Sequence, residues 1–172
     1  MPSPTLFEKL GMPTHVSSLL MKLRRNGLVG IGDIQNEAYR RGCTHYGECN
    51  RFKSINTDSI SDSELGVALL SGVNEYNPRL IRIGAQLISR ETDAFTLYWM
   101  AKKERCEVIL RYIAKCGQQV EPLHEFWTNL LGHLKEGPLP SEGLMPHWSR
   151  FVWQTGVVSP LNKTSEKIKW IR

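Results

Sequence analysis

Apolar residues recur at the spacing of an α-helix in several separate parts of this chain. The clearest stripe follows Pro122 and consists of Leu123, Phe126, Trp127, Leu130, Leu131 and Leu134. Spacings of three and four residues place such side chains on one face of a helix, and that face must pack against another element to leave water. A half-buried strand would need alternation at every second residue instead. The pattern therefore predicts an all-α fold.

Residues that favour helix ends separate the apolar segments. Pro13 and Gly27 mark the start and the end of a first helix, because proline fits a first turn and glycine accepts the left-handed backbone of a helix end. Ser61 and Glu64 form a capping box, in which each side chain accepts a hydrogen bond from an otherwise unpaired backbone amide. These boundaries predict a chain of helices joined by turns.

Further helix starts give the middle of the chain a regular spacing. Asn77 with Pro78 starts a helix whose arginines lie opposite its apolar face. Starts near Ser61, Thr92 and Pro122 are 31 and 30 residues apart. Both a bundle of helical hairpins and a short α-solenoid have such spacing, so either architecture fits the body.

Composition and loops indicate how the chain is organised. Its 172 residues are 41% apolar and 23% charged, which is enough to bury a core. A long polar loop follows Cys43, and a Pro/Gly-rich linker covers residues 137–143. We therefore expect a basic helical hairpin plus the loop over residues 1–57, a helical body over 58–136, and a linker, short helix and basic extended arm over 137–172.

Neither a membrane span nor an export signal is visible in the sequence. No run approaches the roughly 18 consecutive apolar residues of a membrane helix. The first ten residues, which end at Leu10, lack the basic leader and long apolar stretch of a signal peptide. We expect a cytoplasmic protein that does not bind membranes.

Basic charge is concentrated near both ends. The net charge is +5; residues 1–57 carry eight basic and four acidic side chains, residues 58–121 eight and nine, and residues 122–172 six and four. A second, polar helix is expected from Asp33 to Arg41, after the glycine turn. The two N-terminal helices with this turn have the layout of a helix-turn-helix, so the region favours nucleic-acid binding. The predicted contact residues are Lys22, Arg24, Arg25, Gln35, Arg40, Arg41, Arg51, Lys53, Lys167 and Lys169.

Tryptophan and cysteine offer two other routes to function. Trp153 and Trp170 lie in the C-terminal piece, where we expect them to be exposed and able to dock a protein partner. Cys43, His45 and Cys49 place two thiols and an imidazole in one loop, which could hold zinc or an iron–sulfur cluster. Five residues separate the cysteines, however, whereas structural zinc sites use a spacing of two to four.

No catalytic motif is recognisable. His124 precedes Glu125, but no second histidine follows at the spacing of a zinc protease, and neither a nucleophile elbow nor a Gly-Lys-Ser/Thr phosphate loop occurs. The sequence therefore predicts no catalytic residue and no cofactor. We expect a non-catalytic regulatory or accessory protein that binds nucleic acid, a protein partner or both; the alternative is a metal-binding protein or small enzyme organised by the Cys43 loop.

Overall fold

The structure of the protein is a computed structural model, which describes residues 3–10, 17–47, 55–74, 77–141, 143–155 and 167–172. The helices of this part are α1 (Leu6–Lys9), α2 (Ser18–Arg25), α3 (Ile31–Arg40), α4 (Asp62–Leu70), α5 (Pro78–Ile88), α6 (Ala94–Lys103), α7 (Glu107–Val120) and α8 (Glu125–Leu134). Two short 3₁₀ turns cover Thr44–Tyr46 and Trp148–Phe151. The expectation of a mostly helical fold is confirmed.

Local capping residues set the helix starts. The Ser61 hydroxyl accepts a hydrogen bond from the Glu64 amide, and the Glu64 carboxylate accepts one from the Ser61 amide, so the predicted capping box begins α4. Asn77 caps α5 through the Arg79 amide, with Pro78 in the first position.

The apolar core lies between α4 and α5 and continues to α7 and α8. Gly66 and Gly84 let α4 and α5 cross closely, because a Cβ atom at Gly66 would lie 2.8 Å from Ile88 and 3.2 Å from the Gly84 carbonyl oxygen. Trp127 of α8 is fully buried and closes the other end of the core. A larger side chain in this α4–α5 crossing would force the helices apart.

The apolar stripe after Pro122 is shorter than the sequence indicates. Helix α8 begins at Glu125, and Leu123 is 95% exposed because it lies in the turn that precedes the helix. The helix expected to start near Thr92 is α6, and a turn at Arg105, whose φ is 54°, separates it from α7. The prediction for Leu123 was therefore wrong, since periodicity continued past the true helix boundary.

The C-terminal segment forms a two-stranded antiparallel sheet rather than a free extended arm. Strand β1 (Val152–Thr155) pairs with β2 (Lys167–Trp170), and Trp153 stands directly opposite Lys169. The Arg172 guanidinium then forms an ion pair with Glu121, with a nitrogen to oxygen distance of 2.5 Å. These contacts fasten the end of the chain to the helical body.

Within the described ranges, no helix is both long enough and apolar enough to cross a membrane.

Candidate functional site

Most cations predicted in the N-terminal hairpin are already paired with carboxylates of the same chain. Lys22 Nζ lies 2.5 Å from Glu64, and Arg40 holds Glu37 through two nitrogens, each 2.8 Å from a carboxylate oxygen. Arg41 bridges Glu37 at 2.7 Å and Asp62 at 2.9 Å. These ion pairs connect α2 and α3 to α4, so their charges are largely compensated inside the molecule.

Glu37 is the centre of this ion-pair network. Its side chain is only 6% exposed. Burial alone would raise its pKa, but hydrogen bonds from Arg40, Thr57 and Arg41 outweigh that effect and lower the pKa to about 2. The carboxylate therefore stays charged at neutral pH and holds both arginines against the body of the protein.

The other predicted contact residues are scattered. Arg24 and Arg25 are exposed and, among the residues the structure describes, have no carboxylate partner. Gln35 is half-buried and donates a hydrogen bond to the Tyr39 hydroxyl at 2.5 Å. Lys169 is exposed on β2. Arg51, Lys53 and the side chain of Lys167 lie outside the described residues.

The two tryptophans predicted to dock a partner have opposite environments. Trp153 is 49% exposed, and its ring centroid lies 4.2 Å from that of His45. Trp170 is only 3% exposed, with its centroid 4.8 Å from that of Trp127 and 5.2 Å from that of Phe151. The expectation of exposure was wrong for Trp170, because β2 pairing turns alternate side chains inward.

The residues of the predicted metal loop are not brought together. Cys43 is fully buried, and burial raises the pKa of its thiol to about 11, which disfavours the thiolate that binds metals. His45 is exposed and faces Trp153 instead, and Cys49 lies outside the described residues. In the described part of the chain, no group of three His, Cys, Asp or Glu side chains could hold a metal ion.

A different cluster forms a polar cleft on the protein surface. It has a volume of about 300 Å³ and lies between the 3₁₀ turn Thr44–Tyr46, the start of α5 and the 3₁₀ turn Trp148–Phe151. Its lining consists of His45, Tyr46, Arg79, Arg82, Ser149, Arg150 and Val152. We call this the arginine cleft.

Tyr46 organises the cleft. Its hydroxyl donates a hydrogen bond to the Arg150 carbonyl oxygen at 2.6 Å, which joins the two 3₁₀ turns. The Arg82 guanidinium lies over the Tyr46 ring, 5.0 Å from its centroid, in a cation–π contact. Burial raises the pKa of Tyr46 to about 12, so the phenol remains a neutral donor at physiological pH.

Among the described residues, no carboxylate compensates the charge of the arginine cleft. No acidic side chain is among its lining residues, and none of Arg79, Arg82 and Arg150 has a carboxylate partner in the described ranges. Arg79 and Arg82 share one side of α5 because residues three apart are neighbours on a helix surface. Guanidinium groups arranged in this way are suited to bind phosphate or carboxylate oxygens.

The exposed ring pair of Trp153 and His45 adjoins the cleft. His45 belongs both to the lining and to the ring contact, so cationic and aromatic surface is continuous. The sequence placed Arg79 and Arg82 on a solvent face of a helix but gave no reason to join them to Arg150, since they are about 70 residues apart in the chain. The local sequence placed Arg79 and Arg82 only through the start of α5 at Asn77 and Pro78.

Comparison with known protein families, with curated proteins and with solved structures finds no match to this chain.

Proposed function

We propose that this chain is a non-catalytic cytoplasmic accessory or regulatory protein that binds single-stranded nucleic acid at the arginine cleft. Arg79, Arg82 and Arg150 bind phosphates, and the ring pair of Trp153 and His45 stacks against a base. The observation that carries the proposal is the convergence of three arginines, which have no carboxylate partner among the described residues, beside a half-exposed tryptophan. Lys169, opposite Trp153 in the sheet, extends the positive surface.

Phosphate binding and ring stacking together define this class of ligand. Proteins that bind single strands without strong sequence preference combine a positively charged groove with aromatic side chains on which bases stack. A small acidic ligand would use the arginines but would leave the exposed face of Trp153 without a partner. Nucleic acid uses both surfaces.

A single strand fits this cleft better than a duplex does. Bases in a duplex are stacked on one another and do not offer their faces to Trp153. A volume of about 300 Å³ is at the lower end for small-ligand pockets, so the arginine cleft holds a short part of a strand.

Duplex binding by the N-terminal hairpin is a second candidate. The observation in its favour is that Arg24 and Arg25 are exposed at the end of α2 and unpaired among the described residues. In this alternative the hairpin contacts the phosphate backbone and the helical body is a bundle that supports it. The two candidates use different arginines, so one set of variants separates them.

The test is fluorescence anisotropy with labelled single-stranded RNA, single-stranded DNA and duplex DNA at several salt concentrations. We expect the triple variant Arg79→Ala, Arg82→Ala, Arg150→Ala to lose single-strand binding. Loss of three phosphate contacts would reduce the slope of log K against log salt by about 2. Trp153→Ala should weaken binding by about 10-fold, the usual effect of one lost base stack.

Two control variants remove similar charge elsewhere. Arg24→Ala with Arg25→Ala removes the exposed pair of α2, and Lys103→Ala with Lys115→Ala removes two exposed lysines of α6 and α7. Both should leave single-strand binding within about 2-fold of the wild type, apart from the uniform effect of net charge. Selective loss of duplex binding in the α2 variant would instead support the second candidate, and no binding at low salt would exclude both.

A further inference from the structure

A second surface, on α6, carries exposed aromatic side chains. Phe95 is 52% exposed and Trp99 is 43% exposed, and their centroids are 6.0 Å apart. His133 of α8 lies 5.5 Å from Phe95, centroid to centroid, and stacks on Tyr98 at 5.9 Å. The four rings form one cluster at the junction of α6 and α8.

The two ends of α6 have opposite charge. Asp93 precedes the helix and accepts hydrogen bonds from the Phe95 and Thr96 amides as its N-cap. Lys102 and Lys103 occupy the last turn, and the Lys102 ammonium lies 5.0 Å from the centroid of Trp99. The exposed face of α6 therefore runs from an acidic end, through two rings, to a basic end.

This arrangement is complementary to itself. Phe95 and Trp99 are equally distant in sequence from position 97, so a two-fold axis level with position 97 on the exposed side of α6, opposite the buried Leu97 side chain, places Phe95 of one helix against Trp99 of an antiparallel copy. The same axis brings Asp93 of each copy to the end of the partner helix that carries Lys102 and Lys103. Antiparallel pairing also places opposite ends of the two helix dipoles together.

We propose that this face of α6 binds a second copy of the chain. The two α6 helices pair antiparallel, related by a two-fold axis that passes the exposed side of α6 level with position 97. Isologous contacts of this kind are the commonest way in which identical chains associate. The inference does not depend on what the arginine cleft binds, because the two surfaces share no residue.

Charge complementarity favours a second copy over other occupants. A nucleic acid or an anionic membrane would be attracted by Lys102 and Lys103 but repelled by Asp93 at the other end of the face. A second copy satisfies both ends at once. Only two large apolar side chains are exposed here, so we expect a weak dimer with a dissociation constant of roughly 10 to 100 µM.

Sedimentation velocity over a concentration series tests the association. The wild type should shift from 19.6 kDa toward twice that mass as its concentration rises. Trp99→Ser, and separately Lys102→Glu with Lys103→Glu, should each weaken association by at least about 10-fold. Lys115→Glu, a charge reversal at an exposed position of α7, is the matched control and should dimerise like the wild type.

Cross-linking tests the geometry and gives a result even if the dimer is weak. With the axis level with position 97, two cysteines at position 96 would be offset by about 3 Å along the helices, within reach of a short bis-maleimide. Cys43, Cys106 and Cys116 are buried, which shields their thiols from the reagent. Cys49→Ser removes the fourth cysteine, and Thr96→Cys and the control Lys115→Cys are each made in that variant. We expect a covalent dimer from Thr96→Cys alone.

Three results would overturn the proposal. The first is equal cross-linking at positions 96 and 115. The second is a mass of 19.6 kDa at every concentration up to roughly 1 mM. The third is a monomer whose binding to vesicles of anionic phospholipid is lost in Trp99→Ser, which would assign the face to a membrane. Far-UV circular dichroism of each variant checks that α6 is retained.

Discussion

Two arginine-rich regions of this molecule differ in where their charge is balanced. In the network around Glu37, Arg40 and Arg41 are bound to carboxylates at 2.7 to 2.9 Å, and the acid is almost fully buried. In the arginine cleft, Arg79 and Arg82 line a surface cavity to which no acid in the described part of the chain contributes. The same residue type thus holds the fold together in one place and is available to a ligand in the other.

The comparison teaches that an excess of basic residues does not by itself locate a binding surface. Residues 1–57 have the largest positive balance of the chain, yet several of their cations are internally neutralised. Arg79 and Arg82 lie in the segment of residues 58–121, whose net balance is negative. The availability of each cation, rather than the regional sum, determines what can bind.

Replacement of Trp170 should change the free energy of unfolding more than any other substitution that compares the core with the arginine cleft. Trp170→Ala deletes a buried ring that packs on Trp127 and Phe151, and we expect a loss of about 3 to 5 kcal/mol in the free energy of unfolding. Trp153→Ala, at the half-exposed position, should cost less than about 1 kcal/mol. Urea denaturation measures both, and equal losses would contradict the assignment of one tryptophan to the core and the other to the site.

The next largest effect is expected in the ion-pair network. Glu37→Ala leaves Arg41 partly buried without one of its carboxylates, so the free energy of unfolding should fall by about 3 kcal/mol. Arg79→Ala removes an exposed arginine and should change stability by no more than about 0.5 kcal/mol. If both variants unfold at the same urea concentration, the two regions do not differ as described.

Acid should weaken the ion-pair network around Glu37 and leave the charge of the cleft arginines unchanged. The pKa of Glu37 is about 2 in the folded protein, against an ordinary value of 4.5. The contribution of the ionised Glu37 carboxylate to the free energy of unfolding is therefore complete above about pH 4.5 and is lost as the pH falls toward 2. In denaturation series from pH 6 to 2, Glu37→Gln should lose less stability than the wild type; parallel curves would show that Glu37 does not contribute.

The smallest expected effect tests the geometry of the cleft rather than its charge. Arg82→Lys keeps the positive charge but replaces the planar guanidinium that lies over Tyr46. Affinity for single-stranded nucleic acid should fall by about 3-fold, with an unchanged salt dependence. Arg40→Lys is the matched substitution in the network and should leave affinity unchanged in the same anisotropy assay.

Features with a local cause could be predicted from the sequence. The capping box of Ser61 and Glu64 and the start at Asn77 and Pro78 depend on residues within one helical turn, and both helix starts are where the sequence indicates. The start of the apolar stripe was predicted wrongly, because Leu123 has the right spacing but precedes the first residue of α8.

The candidate site could not be predicted as a unit. His45, Arg82 and Arg150 come from three distant segments, and only the tertiary fold brings them to one cleft. Nor could the sequence show that Arg41 is bound by Glu37 and Asp62. Glu37 is four residues away, a spacing that does not reveal whether the carboxylate is buried, and Asp62 is 21 residues away and comes close only in the fold. The charge pattern suggested the ligand class that we propose, whereas burial and pairing indicated where such a ligand would bind.

The register of the terminal sheet decides which tryptophan meets water. Val152 stands opposite Trp170 on the inward face, and Trp153 stands opposite Lys169 on the outward face. Because side chains alternate along a strand, a slip of one residue would exchange the two faces. A single-residue insertion between Ile168 and Lys169 would thus be expected to expose the Trp170 side chain and to move Lys169 away from Trp153. The paired strands therefore tolerate a change of length far less than an ordinary surface loop does.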